Sequence, residues 1–355
     1  MPIQSAQIVI ACSQFDATFA ALTGQLGFRV EMISPADAPT TAVVSGFGVT
    51  LRLESTLLRK IEAPVLRLIA DQPPSTITVP DIRIEWVRRD TAIQIPEAKQ
   101  EFIITRNATG ETWITGRAGM QYRDLIPGRF GGRFIASHIR IPNGGPVPDY
   151  VHFHDIRFQM IFCKAGWVRV VYEDQGEPFV MQAGDCVLQP PQIRHRVLEA
   201  SVGLEVIEIG CPAIHDTHAD HDILLPTLAV RALRQFGGQR FVRHIAAESR
   251  WLPWTWMGQD GAGFEAQDSG ISAATKSLAG VRIVRAGRVA STPLASHHGE
   301  LLFLFLLKGA LHLRSEALGD HTLHADESVT IPPGVNVSLH AETGAQFLEV
   351  SLPAA

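Results

Sequence analysis

The sequence has 355 residues, of which 46% are hydrophobic, 30 are glycine and 22 are proline. A chain of this length exceeds one ordinary hydrophobic core, so it predicts about two or three domains, and the glycine and proline content is typical of a turn-rich β protein. The formal net charge of -5 is small and charges of both signs are interspersed, which argues against a nucleic-acid-binding protein.

The cysteines and the apolar runs indicate the compartment. The four cysteines are far apart and form no CxxC pair, so neither a disulfide framework nor a zinc knuckle is predicted, and a reducing compartment is the simplest home. The N-terminus lacks a charged region followed by a cleavable apolar core, and the longest apolar run, residues 301–307, is too short to span a bilayer. We therefore expect a soluble cytoplasmic protein with no membrane partner.

The first hundred residues predict a small α+β module. Residues 3–11 alternate as a strand, and residues 13–27 have helical spacing, with Ser13 as the N-cap and Gly27 as the stop. Three strand-like runs, FRVEMIS, TTAVVSG and VTLRLES, complete a βαβββ order. Residues 71–100 are rich in proline and predict an irregular connection with one strand near IRIEWV.

This order, together with the phrase LGF at 26–28, resembles one module of the vicinal oxygen chelate superfamily, the glyoxalase-like fold. That family places a metal ligand on the first strand and a glutamate on the fourth, and Gln7 and Glu54 fall at about those positions. A complete site in that family needs two modules, and residues 56–100 contain no second one. We therefore expect Gln7 and Glu54 to be exposed or edge polar residues, and the module to have a structural, pairing or substrate-covering role.

Three histidines in the middle of the chain have the spacing of metal ligands. His152 and His154 are two residues apart, as neighbours on one face of a strand are, and His195 follows 41 residues after His154. Both stretches are rich in β-branched and aromatic residues and are bounded by turn residues, which predicts strands. A single histidine on a strand is more often a core or edge residue, but three imidazoles at this spacing predict a metal site. Gln159 is a weaker fourth ligand through its amide oxygen, or else a buried hydrogen-bonding residue.

The first histidine stretch resembles the first motif of the cupin superfamily. His152, His154, Gln159 and Gly166 fall at the expected spacing, with Gln159 in place of the family's glutamate and Gly145 one residue too early. The resemblance implies a small β-barrel that holds a metal ion, while the missing carboxylate leaves the identity of the metal open.

The second histidine stretch resembles the second cupin motif. Gly184, Pro190 and His195 match it, while Gln192 and Glu199 replace the family's glycine and asparagine. With both motifs present, the resemblance implies a cupin barrel, also called a double-stranded β-helix or jelly roll.

An internal repeat of about 144 residues predicts a second barrel. Residues 119–141 align with residues 263–285, and residues 189–195 align with residues 331–337. We therefore predict a mainly β protein in which two tandem cupin barrels follow the α+β module. The predicted domains are 1–100, the glyoxalase-like module and its connection, 101–225, the first barrel with the metal motif, and 226–355, the second barrel.

The second barrel has lost the ligands. Ser296, His298 and Val337 stand where the first barrel has its three histidines, and the position of Gln159 falls near Leu302 or Phe303. We expect this barrel to be without metal. Its apolar strand LLFLFLL is expected to pack between barrels or between subunits.

The segment between the barrels contains His215, His218 and His221, three residues apart. On a helix they would share a face and suggest a second metal site, but no strand frames them, so a polar loop or cap is the better interpretation. The following run TLAVRALRQFG predicts a short helix that ends at Gly237, and WLPWTW leads into the second barrel.

Polar residues near the motif are candidates for binding a substrate or moving a proton. His138 and Arg140 alternate on the strand before the motif, and Arg140 is the best candidate for clamping a carboxylate. His138 is a candidate general acid or base, or a core hydrogen-bonding residue. The further candidates on or next to the motif strands are Tyr150, Arg157, Trp167 and Arg169. For each of these, a surface or inter-barrel salt bridge is the alternative.

Three neutral histidines and a neutral amide would leave the charge of a divalent ion uncompensated, so the site is expected to take an anionic, chelating small molecule. Iron(II) is the favoured ion, with manganese, nickel or zinc as alternatives. The resemblance then implies a dioxygenase-like oxidoreductase acting on an aromatic or dicarbonyl acid. The alternatives are a metal-dependent isomerase, lyase or hydrolase, and a non-catalytic small-molecule binding protein. By resemblance alone, a homodimer is expected.

Overall fold

The structure of the chain is a computed structural model. It describes residues 3, 5–12, 14–46, 48–55, 65–69, 83–88, 92–107 and 113–353. Among these residues no helix is both long and apolar enough to cross a membrane.

The N-terminal module has the predicted βαβββ order. Its elements are β1 Ser5–Ala11, α1 Phe15–Ala20 continued by a π-helical turn Ala21–Gln25, β2 Arg29–Ser34, β3 Thr41–Gly46, β4 Val49–Glu54, β5 Val65–Ile69 and β6 Arg83–Val87. β1 runs parallel to β4, while β2, β3 and β4 are antiparallel neighbours. The predicted strand near IRIEWV is β6. Ser13, the predicted N-cap, lies outside the described residues, and the glyoxalase-like assignment of the module stays a prediction.

Gln7 and Glu54 do not come together in this module. Glu54 lies beside Ala11 on β1, whereas Gln7 is four residues earlier on that strand, about 13 Å away at 3.3 Å per residue. Both residues are half-buried, and Glu54 accepts a hydrogen bond from Arg52 at 2.5 Å. They therefore do not form a ligand pair.

The first barrel consists of two facing sheets. The strands and helical turns of this part of the chain are β7 Ile103–Thr105, which pairs into the second barrel, and β8 Ile114–Thr115, the 3-10 turn Arg117–Gly119, β9 Gln121–Asp124, α2 Arg129–Gly132, β10 Ile135–Ile141, β11 Gly145–Pro146, β12 His152–His154, β13 Phe158–Ala165, β14 Trp167–Tyr172, β15 Phe179–Gln182, β16 Cys186–Leu188, β17 His195–Ala200, β18 Leu204–Cys211 and β19 Thr217–Ala219. One sheet contains β15-β14-β17-β12-β19, with β11 beside β17, and the other contains β16-β13-β18-β10-β9-β8.

The strands of the second barrel are connected in one curled sheet. The elements of this part of the chain are β20 Gln235–Phe236, β21 Gln239–Arg240, β22 Val242–His244, the 3-10 turn Ala246–Glu248, β23 Leu252–Trp256, β24 Gln259–Asp268, α3 Ile271–Ala274, β25 Gly280–Ser291, β26 Leu301–Lys308, β27 Ala310–Ser315, β28 Gly319–His324, β29 Ser328–Thr330, β30 Ser338–Glu342 and β31 Gln346–Leu352. The path through its main sheet is β28-β27-β30-β25-β31-β26-β29.

The internal repeat is visible in matching turns. Asp124 accepts the backbone N–H of Ile126 at 2.9 Å, and Asp268 accepts that of Gly270 at 2.7 Å. Each aspartate thus begins the turn that leads to a short helical segment, α2 or α3, and then to a long strand, β10 or β25. The two barrels therefore share local chemistry as well as topology.

Strands cross between the three parts of the chain. β19 pairs with β2, so one sheet of the first barrel continues into the N-terminal module. β22 pairs with β16 and completes the first barrel, while β7 pairs with β29 and completes the second. Hydrogen bonding therefore crosses the predicted limits at 101 and 225, and those limits stay a prediction.

The apolar strand β26 packs between the barrels, which is one of the two roles predicted for it. Leu301, Phe303 and Phe305 belong to a buried cluster that also contains Phe158 and Met160 of β13. The alternate residues Leu302, Leu304 and Leu306 fill the interior of the second barrel instead. Period-two alternation thus lets one continuous apolar run serve two cores.

The prediction of a helix in TLAVRALRQFG is wrong. In the structure the run from 227 to 234 is irregular, and its polar groups bond to the first barrel instead of to a helical turn. The Thr227 hydroxyl accepts the Asp174 N–H at 2.8 Å, and Arg234 donates to Glu173 and Asp174 at 2.7 Å each. These tertiary bonds outweigh a weak helical propensity.

Candidate metal centre

Two neighbouring strands bring the three histidines together. His152 and His154 lie on the same face of β12, and His152 is the direct cross-strand partner of His195 at the start of β17. The ring centroids are 4.2 Å apart for His152 and His195, and 5.2 Å apart for His154 with each of the other two. All three side chains are buried. The strand pairing therefore fixes the cluster that the sequence spacing predicted.

Hydrogen bonds orient each ring from behind. Nδ1 of His152 lies 2.8 Å from the Tyr150 carbonyl, and Nδ1 of His195 lies 3.0 Å from the Ile193 carbonyl. Since a carbonyl only accepts, these Nδ1 atoms carry the proton and each Nε2 keeps a lone pair. Nδ1 of His154 lies 2.9 Å from the buried Thr217 hydroxyl, which fits the same tautomer.

The histidines favour the neutral form that binds metal. Burial lowers the pKa of His152 and His154 well below the ordinary value, and the neighbouring positive charges act in the same direction. Burial also lowers the pKa of His195 to about 4, although its hydrogen bond to Ile193 opposes the shift. Protons therefore compete little for these nitrogens at neutral pH.

The ring nitrogens fit one ion. One ligand atom from each histidine lies within 4.8 Å of the others. Nitrogens bound to a single ion at about 2.1 Å are at most about 4.2 Å apart, so a small side-chain adjustment suffices. Among the described residues this is the one group of three or more histidine, cysteine or carboxylate side chains close enough to hold an ion.

Gln159 supplies a fourth polar atom beside the cluster. It lies on β13, is 2% exposed and lines the same cavity as the histidines. Its Nε2 donates to Glu208 at 2.6 Å, whereas its Oε1 is buried and has no hydrogen-bond partner among the described residues. An orphaned buried acceptor is costly in a finished core, so this oxygen fits a ligand position.

Arg117 lies against the cluster from the 3-10 turn before β9. Its Nη1 donates to the buried carboxylate of Asp149, and its Nη2 lies 3.1 Å from Nε2 of His152. Burial is the largest single influence and opposes the charge of the guanidinium, but Asp149, Tyr122 and Tyr150 together outweigh it and raise the pKa of Arg117. The cavity thus contains a permanently charged donor, which the sequence analysis missed because GRAG carries no recognisable motif.

The cavity in front of the histidines is small, about 110 Å³, and its wall is largely apolar. Its polar lining besides the histidines and Gln159 consists of Asp37, Arg117, Tyr122, Ser137, Tyr172, Gln189, Glu208 and His215. This volume suits a small molecule with a few polar groups.

Comparison with known proteins gives the fold. No family model matches the sequence, and no curated protein matches it. Among solved structures, a salicylate 1,2-dioxygenase from Pseudoaminobacter salicylatoxidans with one tryptophan replaced by tyrosine, in complex with gentisate, has a TM-score of 0.50 at 16% identity, over 72% of this chain and 83% of that chain. Another variant of the same enzyme has a TM-score of 0.50 at 15% identity, over 72% of this chain and 85% of that chain. These neighbours are bicupin-type proteins. The chain has the bicupin fold.

Oxalate decarboxylase from Bacillus subtilis is a more distant structural neighbour, with a TM-score of 0.47 at 12% identity over 66% of this chain and 72% of that chain.

His138 and Arg140 do not face the cavity of the bicupin. The residues of β10 that line it are Ile135, Ser137, Ile139 and Ile141, so the even-numbered residues point the other way. His138 contacts Phe305 of the second barrel and bonds to Glu205 at 2.7 Å. Arg140 donates to Gln121 at 2.7 Å and stacks on Trp113. Neither residue lines this cavity, so the catalytic and substrate-binding roles predicted for them stay predictions.

The remaining substrate-binding candidates also lie outside the cavity lining. Arg157 donates to Glu300 at 2.9 Å, an inter-barrel salt bridge. Trp167 and Arg169 alternate with Val168 and Val170, which line the cavity together with Tyr172 of the same strand. Tyr150 is adjacent to His152, with ring centroids 6.0 Å apart, but it does not line the cavity.

The three histidines between the barrels separate. His215 lines the cavity, 5.3 Å from the His154 ring, and its Nδ1 donates to the Pro212 carbonyl at 3.0 Å. His218 stacks on Phe153 and bonds to Asp155 at 2.8 Å, while Nε2 of His221 lies against the Val30 carbonyl. A strand, β19, does run through this stretch, contrary to our expectation. Of the three histidines only His218 lies on this strand, and only His215, two residues before it, lines the cavity.

The counterpart region of the second barrel is filled with hydrocarbon. Val337 is fully buried in the apolar cluster of that barrel, and His298 is exposed. His297 is buried but bonds through Nε2 to the Ile331 carbonyl at 2.7 Å. These residues do not converge as their first-barrel counterparts do.

The N-terminal module contributes to the wall of the cavity. Ala36 and Asp37, in the loop between β2 and β3, are among its lining residues. Asp37 accepts a hydrogen bond from Arg129 at 2.5 Å, which ties this loop to the first barrel. Of the roles considered for the module, pairing and covering are therefore the ones its contacts match.

Proposed function

We propose that the chain is a metal-dependent cupin enzyme, a dioxygenase-like oxidoreductase, that acts on a small anionic aromatic or dicarbonyl substrate at a mononuclear three-histidine centre. The observation that supports it best is the convergence of three neutral imidazoles, each anchored through Nδ1, in a cavity that also contains the orphaned oxygen of Gln159.

His152, His154, His195 and Gln159 would hold the ion. A bound divalent ion would supply a Lewis acid and, if it is iron(II), a site for oxygen chemistry. The protein's part is to present four neutral ligand atoms and to keep the surrounding wall dry. The apolar lining from β10 and β14 does the latter.

Arg117 would hold the anionic group of the substrate. A metal ion on His152 takes the lone pair of the Nε2 that now accepts from Arg117, so Nη2 needs another acceptor. A carboxylate or phenolate oxygen of a ligand at the ion would provide one, and Asp149 keeps the guanidinium in place through Nη1.

Proton-transfer chemistry without oxygen is the second candidate. His215 and Glu208 both line the cavity, and burial lowers the pKa of His215 and raises that of Glu208. These shifts bring the pKa of the carboxyl and the pKa of the imidazole closer together, so the two groups could serve as a proton donor and acceptor for a substrate in an isomerase, lyase or hydrolase.

Oxygen consumption separates the two candidates. The protein loaded anaerobically with iron(II) is mixed with aerated buffer and a panel of small hydroxyaromatic and dicarbonyl acids, and dissolved oxygen and the products are followed. The proposed function predicts oxygen uptake in proportion to product, abolished by His154→Ala. Conversion of a panel member without oxygen uptake would instead support the second candidate. No uptake and no conversion with any of these acids would contradict the proposed substrate class.

A further inference from the structure

Resting on the proposed metal site, we infer that Glu208 is a positioning residue that turns the amide oxygen of Gln159 toward the three histidines. Glu208 would thus provide, from a neighbouring strand, the carboxylate that the ligand position itself lacks.

The two residues are diagonal neighbours on paired strands. Gln159 of β13 lies opposite Gly210 of β18, and Ile161 lies opposite Glu208. Residues two apart on a strand share a face, so Gln159 and Glu208 both point into the barrel. The opposite faces of both strands, with Phe158, Met160, Ile207 and Ile209, belong to the inter-barrel core. The pair therefore lies on two strands whose opposite faces are packed in the same buried core.

The hydrogen bond selects one orientation of the amide. A glutamine side chain presents either its NH2 group or its oxygen to a neighbour, and the two ends have nearly the same shape. The Glu208 oxygen lies 2.6 Å from Nε2 of Gln159 and serves as its acceptor. The Gln159 oxygen is then left buried and without a partner among the described residues, on the wall shared with His152, His154 and His195.

The orientation matters because only one end of an amide binds metal. The carbonyl oxygen has lone pairs, whereas the NH2 group would present protons to an ion. Without an acceptor behind it, Gln159 would be free to turn its NH2 group toward the cavity. Partners that orient ligands in this way typically change metal affinity by about 10- to 100-fold when removed.

Manganese(II) binding to the metal-free protein tests this assignment. Titration calorimetry gives the Kd for the wild type, Glu208→Leu, Glu208→Gln and the exchanged double variant Gln159→Glu/Glu208→Gln. Thermal unfolding of each protein checks the fold. Glu205→Gln is the matched control, because Glu205 lies on the same strand, bonds to His138 and does not line the cavity.

We expect Glu208→Leu to weaken manganese binding by about 10- to 100-fold, and Glu208→Gln to weaken it less, since an amide can still accept from Gln159 in one of its two orientations. The exchanged variant should recover at least the wild-type affinity, because a carboxylate then occupies the ligand position with an amide donor behind it. Glu205→Gln should bind as the wild type does.

The outcomes are separable. An unchanged Kd in Glu208→Leu, or an exchanged variant that binds no better than Glu208→Gln, would overturn the positioning role while leaving the metal site intact. If Glu208→Leu fails to fold, the comparison of Glu208→Gln with the exchanged variant decides. A wild type that binds no manganese would overturn the proposed metal site as well.

Discussion

Hydrogen-bond partners that do not line the cavity hold the three histidines and Arg117 in place. Two backbone carbonyls and the Thr217 hydroxyl bond to Nδ1 of the three histidines, and Asp149 holds Arg117. Asp149 also accepts the N–H groups of Tyr150 and Val197, each at 2.9 Å. These hydrogen bonds fix the orientation of the three imidazole rings and of the Arg117 guanidinium before any ligand binds.

Arg117→Lys tests the anion-binding role at the residue scale. Lysine keeps the positive charge near Asp149 but loses the second planar donor that lies against His152. We expect the affinity of the metal-loaded protein for salicylate, used as a small anionic probe, to fall by about 10- to 100-fold, the value of a charged hydrogen bond of about 1.5 to 3 kcal/mol.

Titration calorimetry measures this affinity, with Arg140→Lys as the control. Arg140 stacks on Trp113 on the other face of β10, so its replacement should leave salicylate binding unchanged. Both substitutions keep the positive charge, so equal losses in the two variants would contradict a specific role of the Arg117 guanidinium in binding the anion.

The histidine cluster could be predicted from the sequence because the spacing within each motif is local. His152 and His154 share a strand face by period-two geometry alone, and the second motif placed His195 at the start of a strand. Even the departures were informative: Gln192, where the family has glycine, takes a left-handed φ of 62°, and its counterpart Gly334 has a φ of 75°. Arg117 could not be found, because its place depends on how distant strands pack.

At the scale of elements, the alternation of side chains along each strand decides which residues face the site. The sequence showed that His138 and Arg140 share a face, but it could not show which face of β10 is inward, because both faces are buried. Ile139 faces the cavity while Ala136 faces the inter-barrel core. The same problem hid Glu208, although a charged residue between Ile207 and Ile209 in a buried strand was a signal of function.

The turn between β13 and β14 gives a prediction about the first motif. Gly166 has a φ of +73°, and a Cβ there would lie 2.3 Å from the Ser201 hydroxyl. Gly203 has a similar φ of +69° but open space around its Cβ position. Gly203→Ala should therefore cost only the backbone strain of about 1 to 2 kcal/mol, and Gly166→Ala should cost about 1 to 3 kcal/mol more through the steric clash.

Urea unfolding of the two variants measures the difference in the free energy of unfolding. Because the two glycines share their backbone conformation, the excess in Gly166→Ala isolates the close approach to Ser201 and Leu204. Equal costs would mean that the turn relaxes, and that Gly166 is required for its backbone conformation alone.

At the scale of the whole molecule, a charged cluster joins the two barrels. Lys164 bonds to Glu205 of the first barrel and lies 2.6 Å from Asp326 of the second, and Glu205 also bonds to His138. The His138 hydrogen bond, with Lys164, lowers the pKa of Glu205 from 4.5 to about 2. Burial lowers the pKa of His138, so the histidine is neutral at neutral pH.

This cluster predicts how stability depends on acid. A carboxyl whose pKa is depressed on folding contributes stability above its unfolded pKa, and this contribution is lost as pH falls through the folded pKa. For Glu205 the window runs from about pH 4.5 to about pH 2. The Tm of Glu205→Gln should therefore be lower than that of the wild type at pH 6, and the difference should shrink between pH 4.5 and pH 3.

Differential scanning calorimetry across this range provides the measurement, with the exposed residue Glu342 changed to Gln as the control. Glu342→Gln should follow the wild-type curve. A constant gap between Glu205→Gln and the wild type from pH 6 to pH 3 would contradict the role given to Glu205.

The large-scale architecture was predictable in outline and not in its connections. The repeat predicted two barrels, and the continuous apolar run of β26 predicted packing either between barrels or between subunits. The exchange of β7 and β22 between barrels, and the extension of one sheet into the N-terminal module through β19, come from edge strands pairing across long sequence distances. No local pattern encodes such pairing.

The metal content of the protein is the most direct test of the account. The protein is produced without a metal-affinity column, and the metal bound per chain is measured by elemental analysis for the wild type and for His154→Ala, with circular dichroism to confirm that both fold. We predict close to one divalent ion per chain in the wild type, with iron favoured, and none retained in stoichiometric amount by the variant. Equal metal content in the two proteins, or a wild type that cannot be loaded by any of iron(II), manganese, nickel or zinc, would contradict the three-histidine centre.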